Sequence, residues 1–128
     1  MCSSDPNVSL TASTITLEIS PAEGEKWWFT AVYGPSSVEG KEPFLAELRG
    51  VAAGCPGRWA VAGDFNLILD AADKNHGRLN RRLMGDFRRT VNDLMLKEAP
   101  LVGRSFTWSN ERANPTLVRL DRWFATVD

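Results

Sequence analysis

Two cysteines, one histidine and one tyrosine among 128 residues leave little material for several kinds of chemistry. Cys2 and Cys55 are too few for a disulfide framework, and no CxxC or Cys/His spacing suited to zinc occurs. That usage points to a reducing, intracellular setting, nucleus or cytoplasm. Charge of one sign is lacking as well, since 15 Lys+Arg against 16 Asp+Glu give a formal net charge of −1. No overall field draws such a chain to nucleic acid or anionic lipid, so any polyanion contact must come from a local patch. No apolar run approaches the ~20 residues a membrane helix needs, and "MCSSDPNVSLTAS" has no signal-peptide core. A disulfide-stapled, zinc-bound or membrane-spanning protein is not expected.

What is present suits one globular domain, with 43% hydrophobic and 24% charged residues. Residues 1–13 are expected to be a disordered tail and 14–128 the domain. "TITLEI", residues 14 to 19, alternates Ile15, Leu17 and Ile19 against polar neighbours, the period of a half-buried strand. "WWFTAVYG", residues 27 to 34, is its natural hairpin partner. Pro43 suits the first turn of a helix whose apolar face carries Phe44, Leu45, Leu48, Val51 and Ala52, with "GCPG" as its stop. A second helical pattern places Met84, Phe87, Val91, Leu94 and Met95 on one face. Residues 104 to 110 and 117 to 127 read as two strands, with Phe106, Trp108 and Trp123 as core. Strands alternating with helices, plus hairpins, predict an α/β or α+β fold with a mixed sheet.

The apolar run "WAVAGDFNLIL" ends oddly for a buried strand, because a carboxylate at its tip costs several kcal/mol unless something compensates it. In extended backbone Asp64 and Asn66 point to one side and offer an acceptor and an amide to one spot. That pair suits a phosphate or metal-bound oxygen; capping of the following turn is the structural alternative. Tyr33 precedes the Gly34-Pro35 break. Asp121 lies between Arg119 and Arg122, which makes a plain salt bridge its alternative. Between Asp73 and Arg89 six cations, Lys74, Arg78, Arg81, Arg82, Arg88 and Arg89, stand against Asp73 and Asp86, giving either a phosphate-backbone footprint or a solvated helix face.

The succession "YGP", "FLAEL", "GDFN", "MGDFR" and "FTWSN…RLDR" resembles the endonuclease/exonuclease/phosphatase superfamily, most closely the endonuclease-like domain of plant LINE-type non-LTR retrotransposons, over nearly all of 14 to 127. The resemblance implies part of a four-layer α/β/β/α sandwich of the DNase I-like type and Mg²⁺-dependent hydrolysis of DNA phosphodiesters. It makes Asp64 and Asn66 the pair that positions water and binds the scissile phosphate, and gives Tyr33 a phosphate contact. Thr107 becomes a substrate-backbone contact, Asp121 the carboxylate that orients a catalytic His. Ser36 stands where many relatives carry Asn and is a weaker substrate-binding candidate.

Two expected segments have no counterpart here, the "QET"-type strand with the principal metal-binding Glu and the "SDH"-type motif with the His. Glu18, Glu23 and Glu25 fall outside any such motif, so no metal ligand is assigned beyond Asp64 as a candidate. His76 reads as a surface residue. The expectation is a fragment inactive alone, with sheet edges prone to self-association. Completion by another chain, a non-catalytic nucleic-acid-binding module on the arginine helix, and a decayed retroelement product are the alternatives.

Overall fold

Threonine and aromatic residues in alternation build the first part of the sheet. The computed structural model describes residues 8–10, 13–100, 106–111, 113 and 116–126. Strand β2 (Thr14–Ile19) pairs antiparallel with β3 (Trp27–Tyr33), and the buried Thr16 and Thr30 hydroxyls meet at 3.0 Å. A short strand β1 (Val8–Leu10) adds antiparallel to β2 within the segment expected to be a disordered tail. It pairs an edge of β2 that would otherwise carry open backbone groups. The rest of that expected tail, 1–7 and 11–12, lies outside the described residues.

After α1 (Val38–Ala53), strand β4 (Trp59–Asp64) runs parallel to β3. A 3-10 turn (Ala71–Asp73), α2 (Arg81–Asp93) and β5 (Leu96–Glu98) follow. Strands β6 (Trp108–Ser109) and β7 (Leu117–Val118) form a separate antiparallel ribbon, and β8 (Asp121–Thr126) returns between β4 and β5. The large sheet has the order β1-β2-β3-β4-β8-β5, with one parallel pair, so the mixed α/β class is as expected. Of the four layers the resemblance implies, the described residues form a helix layer and this sheet.

Both helices cover one face. Phe44, Leu45 and Leu48 of α1 and Leu83, Phe87 and Val91 of α2 pack on Val32, Val61, Phe124 and Leu96 of the strands. Phe65, just after β4, is fully buried among Phe44, Phe87 and Phe124, with ring centroids 5.3 to 6.3 Å away. The opposite face presents Ile15, Ala31, Ala62 and Trp123 in one register row.

Several sequence expectations are corrected. Helix α1 starts at Val38 and not near Pro43, because the Ser37 hydroxyl accepts the Gly40 N–H at 3.2 Å and caps it, leaving Pro43 inside the helix. Helix α2 stops at Asp93; Met95 turns left-handed (φ 57°) and exposed, so it leaves the apolar face it was assigned to. The chain then enters β5, which the sequence pattern did not predict. Of the expected strands 104 to 110 and 117 to 127, residues 104, 105 and 127 lie outside the described residues; within the rest, β6 is two residues long and the second stretch breaks between β7 and β8 at Arg119 and Leu120. Trp108 and Trp123 are half exposed rather than core.

Candidate functional site

The ends of three neighbouring strands set the site. Tyr33 is the register partner of Asp64, and Asp64 of Asp121, so one row crosses β3, β4 and β8 on the face away from the helices. Strands lie about 4.8 Å apart, which keeps the three side chains within about 10 Å. Backbone bonds knit the row: Gly34 N–H donates to Asp64 O at 2.7 Å and Phe65 N–H to Leu120 O at 3.0 Å. Two glycines permit that closeness. A Cβ on Gly63 (φ 137°) would meet Val32 O at 2.2 Å, and one on Gly34 would meet Phe65 O at 2.3 Å. Tyr33 is 75% exposed with its ring toward solvent.

Asn66 reaches the site differently from the extended-strand expectation. The strand stops at Asp64 and Asn66 is left-handed (φ 51°), so the alternation of side chains does not extend to it. Its N–H donates to Asp64 Oδ1 at 2.8 Å and its Nδ2 donates to Gly34 O at 2.6 Å. The turn-capping alternative for Asp64 is thus realised through one of its oxygens. Among the described residues, Asn66 Oδ1 has no hydrogen-bond partner. Phe65 points the other way into the aromatic cluster and anchors the turn.

Directly behind this turn lies a residue that the sequence reading passed over. Lys41, in the first turns of α1, is only 9% exposed, and its Nζ donates to Pro35 O at 3.1 Å and to Asn66 O. It therefore ties the "YGP" and "GDFN" loops together. Burial pushes its ammonium below the usual lysine pKa, and the nearby Asp64 carboxylate opposes that shift. A lone lysine in a helix reads as solvent-facing, and only its place eight residues after Tyr33 hints otherwise.

Asp121 makes no salt bridge with its flanking arginines among the described residues. Arg122 is turned to the helix side, its side chain 1% exposed, where it pairs with Asp73 and with Glu98 at 2.7 Å; Arg119 joins Glu98 at 2.8 Å. Asp121 instead is exposed on the open face beside Asp64. Like charges directly opposite on neighbouring strands are unfavourable, so nothing in the packing of the fold accounts for this pair. Thr107 is adjacent: its Oγ1 accepts the N–H groups of Leu120 at 2.8 Å and Asp121 at 3.1 Å, which fixes the start of β8. Ser36 is exposed next to the cap of α1, and His76 is exposed in the loop before α2.

No group of three His, Cys, Asp or Glu side chains is clustered for a metal among the described residues. Asp64 and Asp121 are nevertheless hard oxygen donors in register on neighbouring strands, a pair that fits a cation such as Mg²⁺, which keeps several waters and takes one or two carboxylates. The arginine helix is less available than its sequence implies. Arg82 pairs with Glu42 at 2.8 Å, Arg89 with Asp86 at 2.9 Å, and Arg88 donates to Leu69 O at 2.6 Å. No described helix is long and apolar enough to cross a membrane.

No protein-family model and no curated protein sequence matches this chain. Among solved structures, the endonuclease domain of TRAS1, a telomere-specific non-LTR retrotransposon, superposes with a TM-score of 0.73 at 16% identity, covering 96% of this chain and 57% of that one. The human Nocturnin catalytic domain with a bound sulfate anion gives 0.45 at 15% identity, covering 88% and 40%. The chain has the DNase I-like fold that the motif order implied, and it spans 57% of the length of the TRAS1 domain.

Proposed function

We propose that this chain carries the strand-end half of a phosphodiester-hydrolysing site that acts on DNA, built on Asp64, Asn66, Tyr33 and Asp121. The observation that carries the reading is the single register row Tyr33–Asp64–Asp121 with Asn66 folded back onto it. The likeness in fold to a retrotransposon endonuclease domain supports it. Phosphoryl transfer asks a protein mainly for placement and charge stabilisation. The Tyr33 hydroxyl donates to a non-bridging oxygen of the scissile phosphate. Asp64 accepts a hydrogen bond from the attacking water and orients it, and the fixed Asn66 amide holds Asp64 in that pose. As the water oxygen bonds to phosphorus it gives up a proton to solvent, the bond to the 3′ oxygen breaks, and that oxygen takes up a proton from solvent. A divalent cation, when bound, would neutralise charge on the phosphate, and Asp64 and Asp121 are the residues that would hold it. In this reading turnover also needs a further carboxylate and an imidazole, which do not cluster with Asp64 and Asp121 among the described residues.

The test is a titration of the isotopically labelled chain with the dinucleotide dTpdT and Mg²⁺, followed by amide shifts. Perturbations should cluster at Gly34, Asp64 to Leu67 and Asp121, and lose their Mg²⁺ dependence in Asp64→Ala. Shifts confined to other parts of the sheet, or none, overturn the reading. In parallel, supercoiled plasmid should not be nicked in an EDTA-sensitive way by this chain alone; nicking abolished by Asp64→Ala would overturn the need for further groups.

A further inference from the structure

Asn66 also lines a cavity of about 210 Å³ with no assigned role. Its polar wall is Lys41, Lys74, Arg78 and Asn66, and its apolar wall includes Leu83 and Leu120. The cations are placed by the fold. Lys74 bridges Val118, Asn75 N–H donates to Leu117 O at 3.1 Å, and Arg119 N–H donates to Asp73 O at 2.8 Å, so this loop is zipped onto the β7 segment. The Lys74 ammonium then donates to Arg78 O at 2.8 Å, which draws the two basic residues to one rim. Among the described residues no carboxylate forms a salt bridge with Lys74 or Arg78, whereas Lys41 is held by the Pro35 and Asn66 carbonyls and feels the Asp64 carboxylate. Lys74 and Arg78 thus bring two cations to one concavity, and an anion that joined them would relieve their mutual repulsion. The volume is below that of sites for whole drug-sized ligands and suits one nucleotide unit. Two further cavities, about 290 and 380 Å³, lie against Trp59 and Thr126 and against Trp28 and Cys55, with no such group of cations.

We propose that this cavity receives the phosphate of the nucleotide adjoining the scissile one, with Lys74 and Arg78 on its oxygens and Leu83 and Leu120 against its sugar and base. The inference rests on the reading of Asp64 and Asn66 as a phosphodiester site, and it adds which neighbouring unit of a DNA strand is held and by what.

The experiment is fluorescence anisotropy of the chain with a labelled DNA duplex across a salt series. It compares Lys74→Gln/Arg78→Gln with the control Lys26→Gln/Lys97→Gln, which removes two exposed cations elsewhere. The first variant should bind about tenfold more weakly at 0.1 M salt and flatten the salt slope by about one per cation lost, with the control near wild type. A duplex with one neutral methylphosphonate next to the scissile position should weaken the wild type and leave the variant unaffected. Equal loss in both variants, no loss in either, or no duplex binding by the intact chain overturns the proposal. These outcomes separate from the strand-end reading: dTpdT shifts at Asp64 without an effect of Lys74 and Arg78 sink the cavity alone. A cavity-dependent duplex affinity without dTpdT shifts sinks the hydrolytic site alone.

Discussion

The two faces of the large sheet are made by the same strands and behave oppositely. On the helix side, Val61, Phe87 and Phe124 are almost fully buried and the charged groups are paired, as with Arg122 between Asp73 and Glu98. On the other side, Trp123 is 49% exposed beside Phe29, and Asp64 and Asp121 stand together without a basic partner on their own strands. The difference separates structural from chemical demands: one face buries its apolar groups within the described residues, and the other holds what packing alone does not explain.

The sharpest way to break that contrast is by truncation on each side. Phe87→Ala should cost about 3–5 kcal/mol in urea unfolding, since it opens a cavity next to Phe65 and Phe124; a loss under ~1 kcal/mol would mean the helix layer is loosely packed. Arg122→Met should cost about 3 kcal/mol by leaving Asp73 and Glu98 without their shared cation. Its effect should persist in high salt, because the group is shielded from solvent ions. Trp123→Ala should cost no more than about 1 kcal/mol, chiefly its contact with Phe29. A larger loss that depends on protein concentration would reveal that the open face is covered in solution.

The subtlest difference concerns pH. Lys41 has a folded pKa below its ordinary 10.5, so the folded chain releases that proton first and the unfolded chain binds more protons between the two values. Stability from this residue therefore rises as pH climbs toward 10.5 and is flat below the folded value. Unfolding free energies of wild type minus Lys41→Met, measured from pH 8 to 10.5, should increase with pH; a flat or falling difference would place the ammonium in solvent.

Part of the helix-side face could be read from the chain, because burial there follows local periods: Phe44 to Leu48 and Met84 to Val91 for helices. In β2 the period of two holds with the faces reversed, since Thr14 and Thr16 are buried toward the helices and the apolar Ile15 lies exposed on the open side. The motif residues Tyr33, Asp64 and Asp121 were also visible, since strand pairing carries their spacing into one row. What escaped depends on contacts distant in sequence or on local backbone sign. Lys41 gains its place from carbonyls of Pro35 and Asn66, and Arg122 from Asp73, 49 residues away. Asn66 broke the alternation through a left-handed turn, and Trp123 was assigned to the core because aromaticity alone does not say which face of a strand is covered.

One ring links the two halves of this molecule. Phe65 occupies the middle of the aromatic cluster while its immediate neighbours in the chain, Asp64 and Asn66, face outward. Repacking the interior is therefore a way of steering the surface: a bulkier or smaller group opposite that ring would tilt the carboxylate and amide on either side of it. Variants selected only for thermal resilience at Phe44, Phe87 or Phe124 should accordingly be found to differ in how they present Asp64 and Asn66 at the surface.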